Sequence, residues 1–168
     1  MKRVLGGLIL FAAAMWMPAA GFASGELDSL AKDEIISTNE LRRMQLQKKD
    51  FVLFDARSQS SYNSSHIAGA VLPLTSDYYM QEELFRNKII SAPPDRSKVL
   101  VEAMKRYSKD SPVVTYCNRH CSASVVLLFE LKRLGFKNVR ALKGGTQAWE
   151  EKGYPLEADA GLSAVLAQ

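Results

Sequence analysis

Three short runs restrict the fold of this chain more than any other feature: "FVLFDA" at residues 51–56, "VVTY" at 113–116 and "NVRAL" at 138–142. Brief apolar runs bounded by turn-forming residues are the pattern of strands buried on both faces. Helical patterns lie between them. One opens behind Ser37 or Thr38 as cap, with Glu40 and Leu41 in its first turn, and ends near Lys49. "KVLVEAMKRYS" is amphipathic and stops at "KDSP". "SASVVLLFELKRLG" starts near Ser122 or Ser124, with Gly135 as its C′ residue, and "TQAWEEKG" forms the last helix. Strands alternating with helices predict an α/β fold: a mostly parallel central sheet with helices on both faces. "AVLPL" at 70–74 is a further strand candidate that Pro73 brings to an end. "SQSSYNSSHIAGA" is turn-rich, with one short helix around residues 60–64. Residues 75–97 are the least legible: "DYYMQEELFRNKII" admits a helix, and "SAPPDRS" must be a loop because Pro93-Pro94 cannot continue one.

The 168 residues suit one domain with a real core, and 47% hydrophobic with 24% charged residues is neither a disordered nor a collagen-like composition. The N-terminus reads as a secretory signal at residues 1–23. Lys2 and Arg3 precede a 14-residue apolar stretch, residues 4–17, and small residues Gly21 and Ala23 suit cleavage after Ala23. A retained membrane anchor is the competing reading, since residues 4–25 carry no charge. Either reading puts the domain outside the cytoplasm, as a periplasmic or secreted protein, with no membrane association after cleavage. Lys and Arg number 22 against 18 Asp and Glu; without Lys2 and Arg3 the balance is 20 against 18, so the formal charge falls from +4 to +2. No block of like charge points to nucleic acid. The expected organisation is a signal peptide at 1–23, an extension at 24–34, the folded domain at 35–156 and a loosely held tail at 157–168.

In such sheets, active sites lie where strand ends lead into helices. "CNRHC" occupies that place and holds the only two cysteines, Cys117 and Cys121. Haem attachment needs Cys-x-x-Cys-His, and here the order is Cys-x-x-His-Cys. A zinc site needs four protein ligands, or three plus water. Cys117, His120 and Cys121 lie within one turn of backbone, and His66 is the only other histidine, so no metal is expected. A structural disulfide suits an oxidising compartment. It would close a tiny loop with little entropic gain, and helical residues four apart hold their Cβ atoms ~5–6 Å apart where a disulfide wants ~3.5–4.5 Å. A nucleophile has the clearest mechanism. Cys117 ends a buried strand and faces a helix start, whose free N–H groups favour an anion and lower a thiol pKa. Arg119 adds charge beside it, and Lys143 does so if the last strand brings it near.

These segments resemble the rhodanese family of sulfurtransferases over residues 35–156. "FVLFDARS" is similar to the family's strand followed by Asp-x-Arg. "HIAGAVLPL" resembles its His-Ile-Pro-Gly-Ala segment with Ala68 in place of proline, "VVTYCNRHCSAS" its active-site loop, and "LGFKNVRALKGGTQAWEEKGYP" its closing segment. The resemblance implies that Cys117 takes a sulfane sulfur from a small anionic donor such as thiosulfate and passes it to cyanide or a thiol. Asn118, Arg119, His120, Cys121, Ser122 and Ala123 would form the binding loop, cradling the persulfide through backbone N–H groups. Lys143 and Arg57 are candidates for charge support, and Cys121 for a redox partner of Cys117. No cofactor is implied. Asp55 and Arg57 are expected to hold the loop after their strand, His66 to hydrogen-bond backbone, Gly144 and Gly145 to permit a tight turn, and Trp149 to sit in the core. The chain departs from the family at His120, where glycine is common, at Ser122, where arginine is common, and in possessing Cys121.

Three rival functions share these features. A phosphatase or arsenate reductase of the same fold needs Cys-x5-Arg to clamp a tetrahedral anion, and Ala123 stands at the arginine position counted from Cys117, Leu127 counted from Cys121. A non-catalytic binding module would typically have lost the nucleophile, which is present. An exported thiol–disulfide or sulfur-carrier protein, working with a redox protein partner, would use the Cys117/Cys121 pair.

Overall fold

The computed structural model describes residues 30–159. The signal segment and residues 160–168 of the expected tail lie outside the described residues. The central sheet has the order β1-β5-β4-β2, all parallel, formed by β1 (Ile35–Ile36), β2 (Val52–Asp55), β4 (Val113–Tyr116) and β5 (Val139–Leu142). The expected α/β architecture is therefore present. A second, antiparallel pair joins β3 (His66–Ile67) to β6 (Leu156–Glu157). The start of the expected tail is thus held in a strand, and Asp159 donates its N–H to the Asn63 carbonyl.

The strands alternate their side chains between two apolar clusters. Phe54, Val113, Val139 and Ala141 pack against α3 (Ser76–Arg86), α4 (Arg96–Met104) and α5 (Ala123–Arg133) on one face. Leu53, Val114, Tyr116 and Leu142 pack on the other, against Leu41 and Met44 of α1 (Thr38–Leu46) and Trp149 of α6 (Gly145–Glu150). The short α2 (Gln59–Ser64) follows β2.

Local chemistry sets the helix ends. Ser37 caps α1 by accepting the Glu40 N–H, Thr75 caps α3 through Tyr78 N–H, and Asp95 caps α4 through Lys98 N–H. Helix α5 ends in a Schellman motif: Gly135 at φ +91° donates to the Lys132 carbonyl, and Phe136 donates to Leu131. "AVLPL" does not form a strand. Val71 alone bridges to β2, exchanging bonds with Leu53 and Asp55, and Pro73 two residues later has no N–H with which to extend the ladder. Among the described residues no helix is long and apolar enough to cross a membrane.

Candidate active site

Side-chain alternation along β4 explains the site. Thr115 and Cys117 point towards α5, where the Thr115 hydroxyl donates to the Ser124 carbonyl at 2.9 Å. Tyr116 points to the opposite face. There its hydroxyl donates to Asp55 Oδ2 at 2.8 Å and accepts the Ile67 N–H at 3.1 Å. Asp55 is fully buried and also takes the Arg57 guanidinium on both oxygens, with Nη2 at 2.6 Å. Burial and the Asp55 carboxylate push the Tyr116 hydroxyl far above its ordinary pKa, so it stays a protonated donor. This network anchors the end of β4 immediately before Cys117.

The Cys117 thiol is 2% exposed. Its Sγ lies 2.6 Å from the Cys121 carbonyl oxygen, 3.3 Å from the Asn118 carbonyl and 3.2 Å from the Ser124 hydroxyl. The loop is tied to α6. Thr146 donates its N–H to the Cys117 carbonyl at 3.0 Å and its hydroxyl to Asn118 Oδ1 at 3.0 Å. Arg119 donates its N–H to Gln147 Oε1 at 2.7 Å and pairs its guanidinium with Glu151 at 2.5 Å. His120 is exposed, and Ser122 occupies the N-cap position of α5 without a capping side-chain bond.

This closed loop reverses one expectation. Burial pushes the Cys117 thiol up to about 12, and the Cys121 side chain adds to the rise, against the opposing hydroxyl and N–H of Ser124. The physical reason is the thiol's loss of water on burial, which the loop backbone does little to offset. Carbonyl oxygens face Sγ, while the N–H groups of Arg119, Cys121 and Ala123 go to Gln147, the Asn118 carbonyl and Cys121 Sγ. A thiol that donates to carbonyls is stabilised protonated. Because the folded pKa lies above the unfolded value, Cys117 contributes stability that is present in full below the ordinary thiol range and is lost as pH rises towards 12. Two outcomes follow for alkylation of the native protein by iodoacetamide. Half-buried Cys121 reacts before Cys117, and the Cys117 rate still climbs at about pH 10. A Cys117 rate that levels off near neutral pH would contradict this geometry.

The expected charge support is not assembled around the thiol. Arg57 is spent on Asp55 and on the Ser65 carbonyl, which also shows that the pair holds the loop after β2. Lys143 is exposed after β5, and its backbone N–H bonds to Ile36; no ion pair or hydrogen bond joins its side chain to the loop. His66 bonds the Tyr62 carbonyl through Nδ1 at 2.9 Å and stacks on the Tyr62 ring. Trp149 is fully buried in the core. Ser124, Tyr116, Thr146, Gln147 and Glu151 are site residues that sequence reasoning passes over. Only Ser124 leaves a signal, as a small polar residue in the first turn after the cysteine loop.

Gly145 is needed twice over. Its φ is +56°, and a Cβ there would meet the Cys117 carbonyl oxygen at 2.0 Å. Gly145→Ala is expected to destabilise the protein by at least about 1–3 kcal/mol in urea unfolding and to displace the loop. An unchanged midpoint would show that loop and α6 are not in such close contact.

The arrangement is an α/β domain with a buried cysteine thiol held between a central parallel strand and the helix that follows it. The rhodanese-like domain model matches residues 37–152, and the chain belongs to that family. Over 105 residues it is 30% identical to the thiosulfate sulfurtransferase GlpE of Coxiella burnetii (strain RSA 331 / Henzerling II), covering 62% of this chain and 77% of that one. The crystal structure of the BH2092 protein from Bacillus halodurans is similar with a TM-score of 0.57 at 22% identity, over 76% of this chain and 78% of that one. The solution structure of the rhodanese-like domain of Alr3790 from Anabaena sp. gives 0.55 at 23%, over 74% and 79%. These two likenesses speak to the fold alone. The family and the curated relative together place the chain in the sulfurtransferase superfamily.

Proposed function

We propose that this protein is an exported sulfurtransferase that moves a sulfane sulfur from thiosulfate, or a donor like it, to cyanide or a thiol through a Cys117 persulfide. The observation that carries this reading is the Cys117 Sγ at the end of β4, 3.2 Å from the Ser124 hydroxyl in the first turn of α5. The Cys117 thiolate attacks the outer sulfur of thiosulfate, the S–S bond of the donor breaks, and sulfite leaves with its electron pair. Cyanide then takes the outer sulfur as thiocyanate and the thiolate returns. No metal or organic cofactor enters either step.

The resting loop has to change for the donor to arrive. The Cys121 carbonyl rotates away from Sγ, and N–H groups of the loop turn inward to meet the donor's sulfonate oxygens. This opening exposes the thiol and relieves the burial that keeps it protonated. The N-terminal segment supports export to the periplasm or beyond, and a small anionic donor with a thiol acceptor fits a neutralised, compact loop. Thiocyanate formation from thiosulfate and cyanide by the purified protein tests the reading. Turnover that disappears without either reactant supports it, and none above background would refute it.

Arg119 lies within the loop, and its charge is tempered by Glu151. Glu151→Gln frees the guanidinium and should lower KM for thiosulfate about two- to fivefold, the scale of an exposed charge interaction. Arg119→Gln should raise KM by a similar factor and flatten its salt dependence. Identical KM values in both variants would mean that backbone groups alone hold the anion.

A further inference from the structure

The Cys121 thiol has no part in the persulfide steps, yet its residue is folded against the sulfur that carries them. The backbone between Cys117 and α5 is not helical, so the spacing of a regular helix does not apply. The Cys121 N–H bonds to the Asn118 carbonyl at 3.1 Å, closing a turn that folds Cys121 back over Cys117 until its carbonyl is 2.6 Å from Sγ. The Cys121 sulfur accepts the Ala123 N–H at 3.5 Å, at the same end of α5 whose Ser124 hydroxyl faces Cys117. The Cys121 side chain is near enough to raise the Cys117 pKa directly. Both residues are free thiols, Cys117 buried and Cys121 half-buried.

The geometry points to Cys121 as an internal resolving thiol that attacks the Cys117 persulfide and releases sulfide. The inference rests on the persulfide reading above. The Cys121 sulfur bonds to Cys117 Sγ, and the bond from Sγ to the outer sulfur breaks. The outer sulfur leaves with the electron pair, carrying the Cys121 proton, as HS⁻. The two cysteines are thereby oxidised to a disulfide, and the sulfane sulfur is reduced to sulfide. The same rule that makes low-pKa groups leave faster favours sulfide as the leaving group over an alkyl thiolate. A disulfide closing so small a loop gains little from chain entropy and is readily reduced. A dithiol reductant restores both thiols, so the net reaction converts thiosulfate and a dithiol into sulfite, sulfide and the reductant's disulfide.

The test follows intact mass and free sulfide after adding thiosulfate alone, without oxygen, to the wild-type, Cys121→Ser and Cys117→Ser proteins. The wild type should gain about 32 Da, then fall to about 2 Da below its starting mass as sulfide appears, up to one equivalent. Adding a dithiol should make sulfide release continuous. Cys121→Ser, or Cys121→Ala if the serine variant does not fold, should stay at the added mass and release no sulfide. Cys117→Ser should do neither. A wild-type protein that holds the added sulfur without releasing sulfide overturns the resolving step and leaves the persulfide reading standing. So does release from Cys121→Ser at the wild-type yield. No uptake of sulfur by the wild type takes down both.

Discussion

Cys117→Ser should lose sulfur transfer from thiosulfate to cyanide by at least about 10³-fold while unfolding in urea close to the wild-type midpoint. A serine hydroxyl nearly matches the thiol in shape. It accepts and donates to the same partners, the Ser124 hydroxyl and the Asn118 and Cys121 carbonyls. What it cannot do is form a sulfur–sulfur bond with the donor. The loss should fall on kcat, because the loop that binds the donor is unchanged. Retained turnover in a folded variant would move the chemistry away from Cys117.

The second large effect is on stability. Asp55→Ala should cost about 3–5 kcal/mol, read as a lower urea midpoint. The carboxylate is fully buried and takes the Arg57 backbone N–H, its guanidinium and the Tyr116 hydroxyl. Removing it strands a guanidinium that is only 9% exposed, together with a buried hydroxyl. Asp55→Asn keeps an acceptor and should cost less. Tyr116→Phe should cost less again, about 1–3 kcal/mol, because it leaves the Asp55–Arg57 pair intact and strands only the Ile67 N–H. The order of the three variants is the diagnostic result. A Tyr116→Phe cost equal to that of Asp55→Ala would mean that the Asp55–Arg57 pair adds nothing beyond the Tyr116 hydroxyl bond.

The parts of this fold written in local sequence are those with four-residue strands. β2, β4 and β5 are continuous or nearly continuous apolar runs, because both faces of the parallel sheet are covered. β1, β3 and β6 have two residues each, too few to show a period. Val71 shows the same limit from the other side: "AVLPL" has strand composition, but Pro73 confines its pairing to one residue. In residues 75–97, helix α3 starts at the Thr75 cap, a signal passed over in the sequence ahead of a weak apolar pattern.

The site was legible in position and not in detail. The placement of Cys117 between a buried strand and a helix start can be read from the sequence alone. The partners that set its chemistry lie far along the chain. Gln147 and Glu151 reach Arg119 from 28 and 32 residues away, and Asp55 reaches Tyr116 from 61. Nothing local encodes those encounters. The burial of Cys117 beneath its own loop is equally invisible in residue types, and it turns the expected lowered thiol pKa into a raised one.

The proposed reaction requires Cys117 to take up a sulfane sulfur. Intact mass with peptide mapping tests it most directly, using Cys121→Ser so that the added sulfur has no neighbouring thiol to leave through. Incubated with thiosulfate and freed of excess donor, this variant should gain about 32 Da, mapped to the peptide containing Cys117, and lose it on addition of cyanide as an equivalent of thiocyanate appears. An unchanged mass in that variant and in the wild type, with no sulfide released by either, would contradict the account.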